Sequence, residues 1–271
     1  MNIVLFDASE IGGDGSVVVS DVRALHLLSV LRVTPGQEVR VGVIDGPSGI
    51  GTVTDVGSDQ VTMRCALEAT VPNRPRVDLL LALPRPKVMR RLWAQLAALG
   101  VGRVMLTNAE KVERDYFDTH LLRPEGFRPL LIEGLQQARD TRMPLVTVHK
   151  QFRKLLESEL AVLCLEEHRI VAHPDGNGCT VGDALIGIGH GDVSPPRVVL
   201  AVGPEGGWNA FEIQLLTTHG FTPVSLGPRP LATTTACVAL LTLVHASLRA
   251  PASSHTIEIS NGRGSTGQGP Q

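Results

Sequence analysis

From Val77 onward the chain alternates short apolar runs with segments of helical character, and this alternation limits the possible folds more than any other feature. "VDLLLAL" (77–83) reads as an apolar strand of the kind buried on both faces. "RPKVMRRLWAQLAALG" follows as a helix, with Pro86 suited to its first turn and Gly100 to its C-terminal cap. "GRVMLT" is a second buried strand and Pro124 to Arg139 a second helix. "LVTVH", a helix from Gln151 to about Leu160, and "RIVAH" continue the rhythm. "RVVLAV", a glycine loop, another helix, "TPVSLG" and a last apolar helix from about Thr234 to Leu248 complete it. Such alternation predicts an α/β fold with a mostly parallel sheet and helices on both faces. Ligands in sheets of this kind sit at the carboxyl ends of the strands.

The chain before Val77 reads differently. "NIVLF", "GSVVVS", "EVRVGVI", "GIGTVTDVG" and "QVTMRCAL" are valine-rich and bounded by Gly, Asp, Ser and Pro. One helical segment, Asp21 to Arg32, interrupts them, and five short strands with a helix suggest a small β-barrel. "EATVPNRPR" (68–76) carries two prolines and no periodicity, which marks a linker. The expected organisation is a barrel over residues 1–70, an α/β domain over 71–250 and a Gly/Ser-rich, disordered tail over 251–271. There is no internal repeat.

Composition excludes several function classes. With a formal net charge of −2 over 271 residues, the chain cannot coat nucleic acid by bulk charge, although a local basic face is compatible with it. Aromatic residues are 3% of the total, too few for a base-stacking platform. Cys65, Cys164, Cys179 and Cys237 show no C-x-x-C spacing and read as apolar fillers in a reducing compartment. His168 and His173 lie five apart on one strand and would point to opposite faces, so no metal site is expected. "MNIVLFDASE" lacks the basic start and long apolar core of a signal peptide, and no apolar run would span a bilayer. A cytoplasmic protein is the expectation.

The stretch "VVLAVGPEGGWNAFE" (198–212) places glycines directly after a buried strand, where backbone N–H groups can approach a ligand without an intervening Cβ. Asn209 and Glu212 fit a capping box and Gly220 a C-terminal cap. A phosphate cradle is disfavoured, because there is neither a G-x-x-x-x-G-K-[ST] motif nor G-x-G-x-x-G spacing. A dinucleotide fold also wants an acid about twenty residues downstream. Between Glu212 and Glu258 there is no Asp or Glu, which leaves nicotinamide or flavin binding as a distant alternative. A second loop, "VSLGPRPLATTTA" (224–236), again joins a strand to a helix. Two such loops at adjacent strand ends make a backbone-lined cleft suited to an adenosyl group.

These residues resemble a known family. "GPEGGW" with Glu212, "GF" at Gly220 and Phe221, and "VSLGPR" are similar to the signature loops of the 16S rRNA uridine-N3 methyltransferases, of the knotted SPOUT class. "HLLSVLRVTPG" (26–36), "LPRPKVMRRL", "ALGV" and "GLQQARDTRMP" (134–144) match further motifs in the same order, across about residues 1–248. The resemblance implies an N-terminal PUA-like barrel that helps hold RNA, and a C-terminal domain knotted around S-adenosyl-L-methionine. It also implies a homodimer acting on ribosomal RNA or the small ribosomal subunit. The candidate cofactor contacts are Val202, Gly203, Pro204, Glu205, Gly206 and Gly207 on the first loop. The second loop adds Ser225, Leu226, Gly227, Leu231, Thr233 and Ala236. A side chain at Gly206 is expected to meet the ligand.

One departure stands out. Where the family pattern runs Ile-Leu-Arg, any residue, Glu-Thr-Ala, this chain has Ala232 for the arginine and Thr234 for the glutamate. Methylating N3 of uridine requires loss of an imide proton, so a base or donors to the uracil oxygens are needed. Arg229, Arg139 and Glu205 are the catalytic candidates. His26, Arg32, Arg85, Lys87, Arg90 and Arg91 are the candidate RNA contacts. A non-catalytic RNA-binding relative, such as an assembly factor, is the alternative that Ala232 and Thr234 raise.

Overall fold

The computed structural model describes residues 2–163, 168–174, 179–186 and 197–249. Cys164 and the expected tail, residues 251–271, lie outside them.

Five strands form the N-terminal sheet: β1 (Val4–Phe6), β2 (Ser16–Val19), β3 (Glu38–Val43), β4 (Ser48–Val56) and β5 (Val61–Leu67). Their order is β1-β3-β4-β5-β2, with β1 parallel to β3 and the remaining pairs antiparallel. Each expected strand is present. This order leaves β1 and β2 at the two edges of the sheet. Helix α1 (Val22–His26) continues as a π-turn over Leu27–Leu31, and Arg32 ends it in the left-handed region at φ 51°. Asp21 caps α1 by accepting from the Arg23 backbone N–H.

Among the described residues the second sheet has six strands, all paired in parallel, in the order β11-β9-β10-β6-β7-β8. They are β6 (Val77–Ala82), β7 (Val101–Thr107), β8 (Leu145–His149), β9 (His168–Ala172), β10 (Val198–Val202) and β11 (Phe221–Val224). β6 and β10, at the centre, are buried at every position, so both faces of the sheet are covered. Helices α2 (Pro86–Ala98) and α3 (Pro124–Ala138) cross closely. Gly134 lies where a Cβ would stand 2.1 Å from the Ala94 carbonyl oxygen. Helix α4 (Phe152–Lys154) passes through a π-turn (Leu155–Glu159) into α5 (Leu160–Leu163). A short α6 (Val181–Ala184), which the sequence did not suggest, precedes β10. α7 (Ala210–Thr218) follows the glycine loop, and α8 (Thr233–Arg249) packs on β6 and β10.

β1 joins the two units. Its alternation sends Val4 and Phe6 into the core of the N-terminal sheet, while Ile3 and Leu5 belong to the core of the large sheet. Asp45, at φ 57°, lies 3.1 Å from Arg74 and 3.8 Å from Arg142, and its backbone N–H donates to the Thr141 carbonyl. The fully buried Thr141 hydroxyl donates to the Gly46 carbonyl at 2.7 Å.

Candidate active site

A cavity of about 260 Å³ opens at the carboxyl ends of β9, β10 and β11. One wall is the loop from Val202 to Trp208, and the facing wall runs from Leu226 to Leu231. Thr233, Ala236 and Leu240 of α8 form the back, and Ala172, His173 and Pro174 close the side. Every residue assigned to the cofactor from sequence lines this cavity except Ser225. The Ser225 hydroxyl instead accepts from the Gly227 backbone N–H at 3.1 Å, and its own N–H donates to the Cys179 carbonyl, so it shapes the turn.

The glycine loop is held from outside. Asn209 accepts from the Glu212 N–H at 2.7 Å, and Glu212 Oε2 accepts from the Asn209 N–H at 2.8 Å, closing the predicted capping box. Glu212, only 4% exposed, uses its other oxygen to accept from the Glu110 N–H at 2.7 Å. Lys111 Nζ donates to the Gly206 carbonyl at 2.6 Å. The loop after β7 therefore clamps the loop after β10, a long-range tie that spacing along the chain could not reveal. Gly207 and Gly227 have φ of 69° and 101°, where a Cβ would be strained. At Gly206, which lines the cavity, an added Cβ would first meet the Lys111 stem, 2.7 Å away at Cδ.

Trp208 is the buried floor of the first loop. Its ring stacks on Phe152 at 5.2 Å, and a Cβ at Gly203 would meet its Cδ1, Nε1 and backbone N at 3.1 Å. Trp208 lines the cavity, and its indole N–H is buried with no hydrogen-bond partner among the described residues. A buried donor of this kind costs about 1–3 kcal/mol unless something accepts from it. Cys237, fully buried, has its thiol pushed up to about 12 by burial and is a filler, as read from sequence. Cys65 and Cys179 are also free thiols. Among the described residues, no group of three or more His, Cys, Asp or Glu side chains is placed to hold a metal ion.

Glu205 and Arg229 both line the cavity and are exposed. Arg139 does not join them. It ends α3 in the left-handed region at φ 58°, exposed, just before the entry to β8 and so at the amino end of the sheet. Within one chain it stands at the opposite end of the strands from the cavity.

A model of the RNA methyltransferase domain matches residues 72–245. "Ribosomal RNA small subunit methyltransferase E" of Treponema pallidum is 32% identical over 258 residues, covering 92% of both chains. The chain belongs to the RNA methyltransferase family. A second relative of the same name, numbered 1, from Borreliella burgdorferi is 24% identical over 88% of this chain and 95% of its own. The solved Neisseria gonorrhoeae rRNA small subunit methyltransferase E, bound to S-adenosyl methionine, superposes with a TM-score of 0.70. It is 22% identical and covers 91% of this chain and 97% of its own, and it shares the SPOUT-like fold with its parallel sheet.

The RNA contacts expected from sequence fall in two places. Arg85, Lys87, Arg90 and Arg91 are all exposed on the N-cap and first turns of α2, which leaves the carboxyl end of β6. They are at the same end of the sheet as the cavity. His26 lines a separate cleft of about 640 Å³ between α1 and α3, and Arg32 is exposed beyond it. Lys111, Arg114 and Lys150 are also exposed in the segments that follow β7 and β8 at the carboxyl end of the sheet, positions that no local motif announced.

Proposed function

We propose that the protein transfers a methyl group from S-adenosyl-L-methionine to N3 of a uridine in small-subunit ribosomal RNA. The observation that carries this reading is the cavity at the carboxyl ends of β9, β10 and β11, lined by both signature loops. The cavity fits the cofactor's chemistry. Val202, Val224, Leu226 and Leu240 offer apolar surface for an adenine ring, and the loop backbones offer its edge hydrogen bonds. The first backbone N–H groups of α8, at Thr233 and Thr234, favour a carboxylate. The unpartnered Trp208 N–H is a further donor for the ligand. When bound, the cofactor supplies an electrophilic methyl group on a sulfonium.

This chain's residues would do the rest by alignment and charge. Arg229 donates to a uracil oxygen as negative charge develops there, and Glu205 takes the N3 proton. Ala232 and Thr234 bring no charge to the second loop, so Glu205 is the carboxylate that lines the cavity among the described residues. The N-terminal sheet, read as PUA-like, and the exposed cations of α2 hold the RNA backbone. A knotted backbone around the cofactor belongs to the same reading. A homodimer does too, supported by the exposed apolar side chains Phe211, Leu231 and Leu243 on α7, the cavity lip and α8.

The loss of charge at Ala232 and Thr234 favours one second reading, a non-catalytic RNA-binding relative. Calorimetry with S-adenosyl-L-methionine tests the donor pocket: heat saturating at micromolar ligand supports it, and no heat at millimolar ligand refutes it. Restoring Ala232→Arg with Thr234→Glu separates the two readings, since methyl transfer appearing only in that variant would assign the natural chain to the non-catalytic one.

A further inference from the structure

A larger cavity, of about 900 Å³, lies at the opposite end of the parallel sheet and takes no part in the site described above. Five segments build it: the linker at 73–76 ahead of β6, the turn at 98–100 between α2 and β7, the end of α3 at 138–140, Arg197 ahead of β10, and the C-terminal end of α8. Arg74, Arg76, Arg197, Arg249 and His245 line it, against the single carboxylate of Asp140. Two of these cations are accounted for: Arg74 pairs with Asp45 and Arg197 with the buried Asp78 at 2.9 Å. Arg76 donates to the Leu248 carbonyl, and Arg249 is exposed. Neither has a carboxylate within 4.0 Å among the described residues. Asp140 is already occupied in part, accepting from the Arg142 N–H at 2.9 Å.

The histidine records the same excess of positive charge. Burial, and then the charges of Arg249 and Arg76, hold the His245 imidazole below its usual value, against the opposing pull of the Gly100 and Leu99 carbonyls. Its Nε2 has no hydrogen-bond partner. Cations gathered around one concavity repel one another, and guanidinium forks match phosphate oxygens in pairs. Arg139, which the sequence singled out and the donor cavity does not use, is exposed between two residues that line this rim, Ala138 and Asp140.

We propose that this cavity binds phosphate groups, those of the RNA backbone, as a second anchor on the end of the sheet opposite the donor pocket. The RNA clause rests on the methyltransferase reading; the phosphate chemistry does not.

The test uses the full chain and two variants. Arg249→Gln removes an exposed cation with no ion-pair partner among the described residues; Arg76→Gln/Arg249→Gln removes both. Binding of a fluorescein-labelled single-stranded oligoribonucleotide is followed by anisotropy against salt. Arg249→Gln should weaken binding about fivefold near 0.1 M salt and make the log–log salt slope shallower by about 0.7. Affinity for S-adenosyl-L-methionine should stay unchanged, so that failure of the donor pocket shows separately, as absent heat in the unmutated chain. Inorganic pyrophosphate, followed by NMR of the His245 imidazole, provides the second arm. Pyrophosphate shifts with an unchanged RNA slope would keep the phosphate chemistry and assign it to a free anion. Unchanged RNA affinity and slope in both variants, with no pyrophosphate shift, would overturn the proposal.

Discussion

At the residue scale, the donor pocket depends on Trp208 and on two backbone positions. Gly207 and Gly227 were legible as glycines in a loop, but not the positive φ that makes them necessary. Trp208 was visible only as the end of "GPEGGW". Its role follows from packing, because Phe152, more than fifty positions earlier in the chain, supplies the stacking partner. Trp208→Phe keeps the ring against Phe152 and deletes the N–H. It should weaken S-adenosyl-L-methionine about tenfold, the loss of one buried hydrogen bond, while shifting the melting temperature little. An unchanged dissociation constant by calorimetry would show that the indole N–H does not face the ligand. Arg139 marks the limit of reading by motif: local sequence identified the residue, but only the path of α3 shows that it ends on the far side of the sheet from the cavity.

At the element scale, the strand and helix rhythm was legible because period and punctuation are local. Every strand expected from Val77 on is present; all lie within a residue or two of their place except β11, which ends at Val224, three residues short of "TPVSLG". Two things were not legible. The strand order β11-β9-β10-β6-β7-β8 depends on which crossovers return to which edge, and no local pattern encodes it. Asp78, inside an otherwise apolar strand, is buried because Arg197 reaches it across 119 positions of chain. Gly134 is the same kind of long-range fact. In isolation α3 would gain about 1 kcal/mol from Gly134→Ala. Here the methyl group would press on the Ala94 carbonyl, and overpacking costs about 1–3 kcal/mol. Gly134→Ala should therefore lower stability in urea melts; a rise would show that α2 and α3 can separate at no cost.

At the scale of the whole molecule, the N-terminal sheet is tied to the large one through β1, Asp45 and Thr141, and Arg23 braces it from within. The Arg23 guanidinium hydrogen-bonds Glu10 and Asp21, donates to the Leu5 carbonyl and lies 5.2 Å from the Phe6 ring centroid. Its hydrogen bonds hold the Glu10 and Asp21 carboxyls below their usual values, against the opposing effect of burial. Because the folded values are depressed, this stabilisation is complete above the ordinary carboxylate range and is lost as pH falls through the lowered values. Arg23→Met should cost about 1–3 kcal/mol at neutral pH, discounted because Asp21 is half exposed. It should also flatten the fall in stability between about pH 5 and pH 3. Parallel acid dependences for the two proteins in thermal melts would contradict this role. No helix among the described residues is long and apolar enough to cross a membrane.

The most direct measurement of the central claim is transfer of labelled methyl from S-adenosyl-L-methionine to small ribosomal subunits lacking the modification, followed by nucleoside analysis. Label is expected in N3-methyluridine, with transfer lost in Arg229→Ala and reduced in Glu205→Gln. Cofactor binding with no label in the RNA, or label in any other nucleoside, would contradict it.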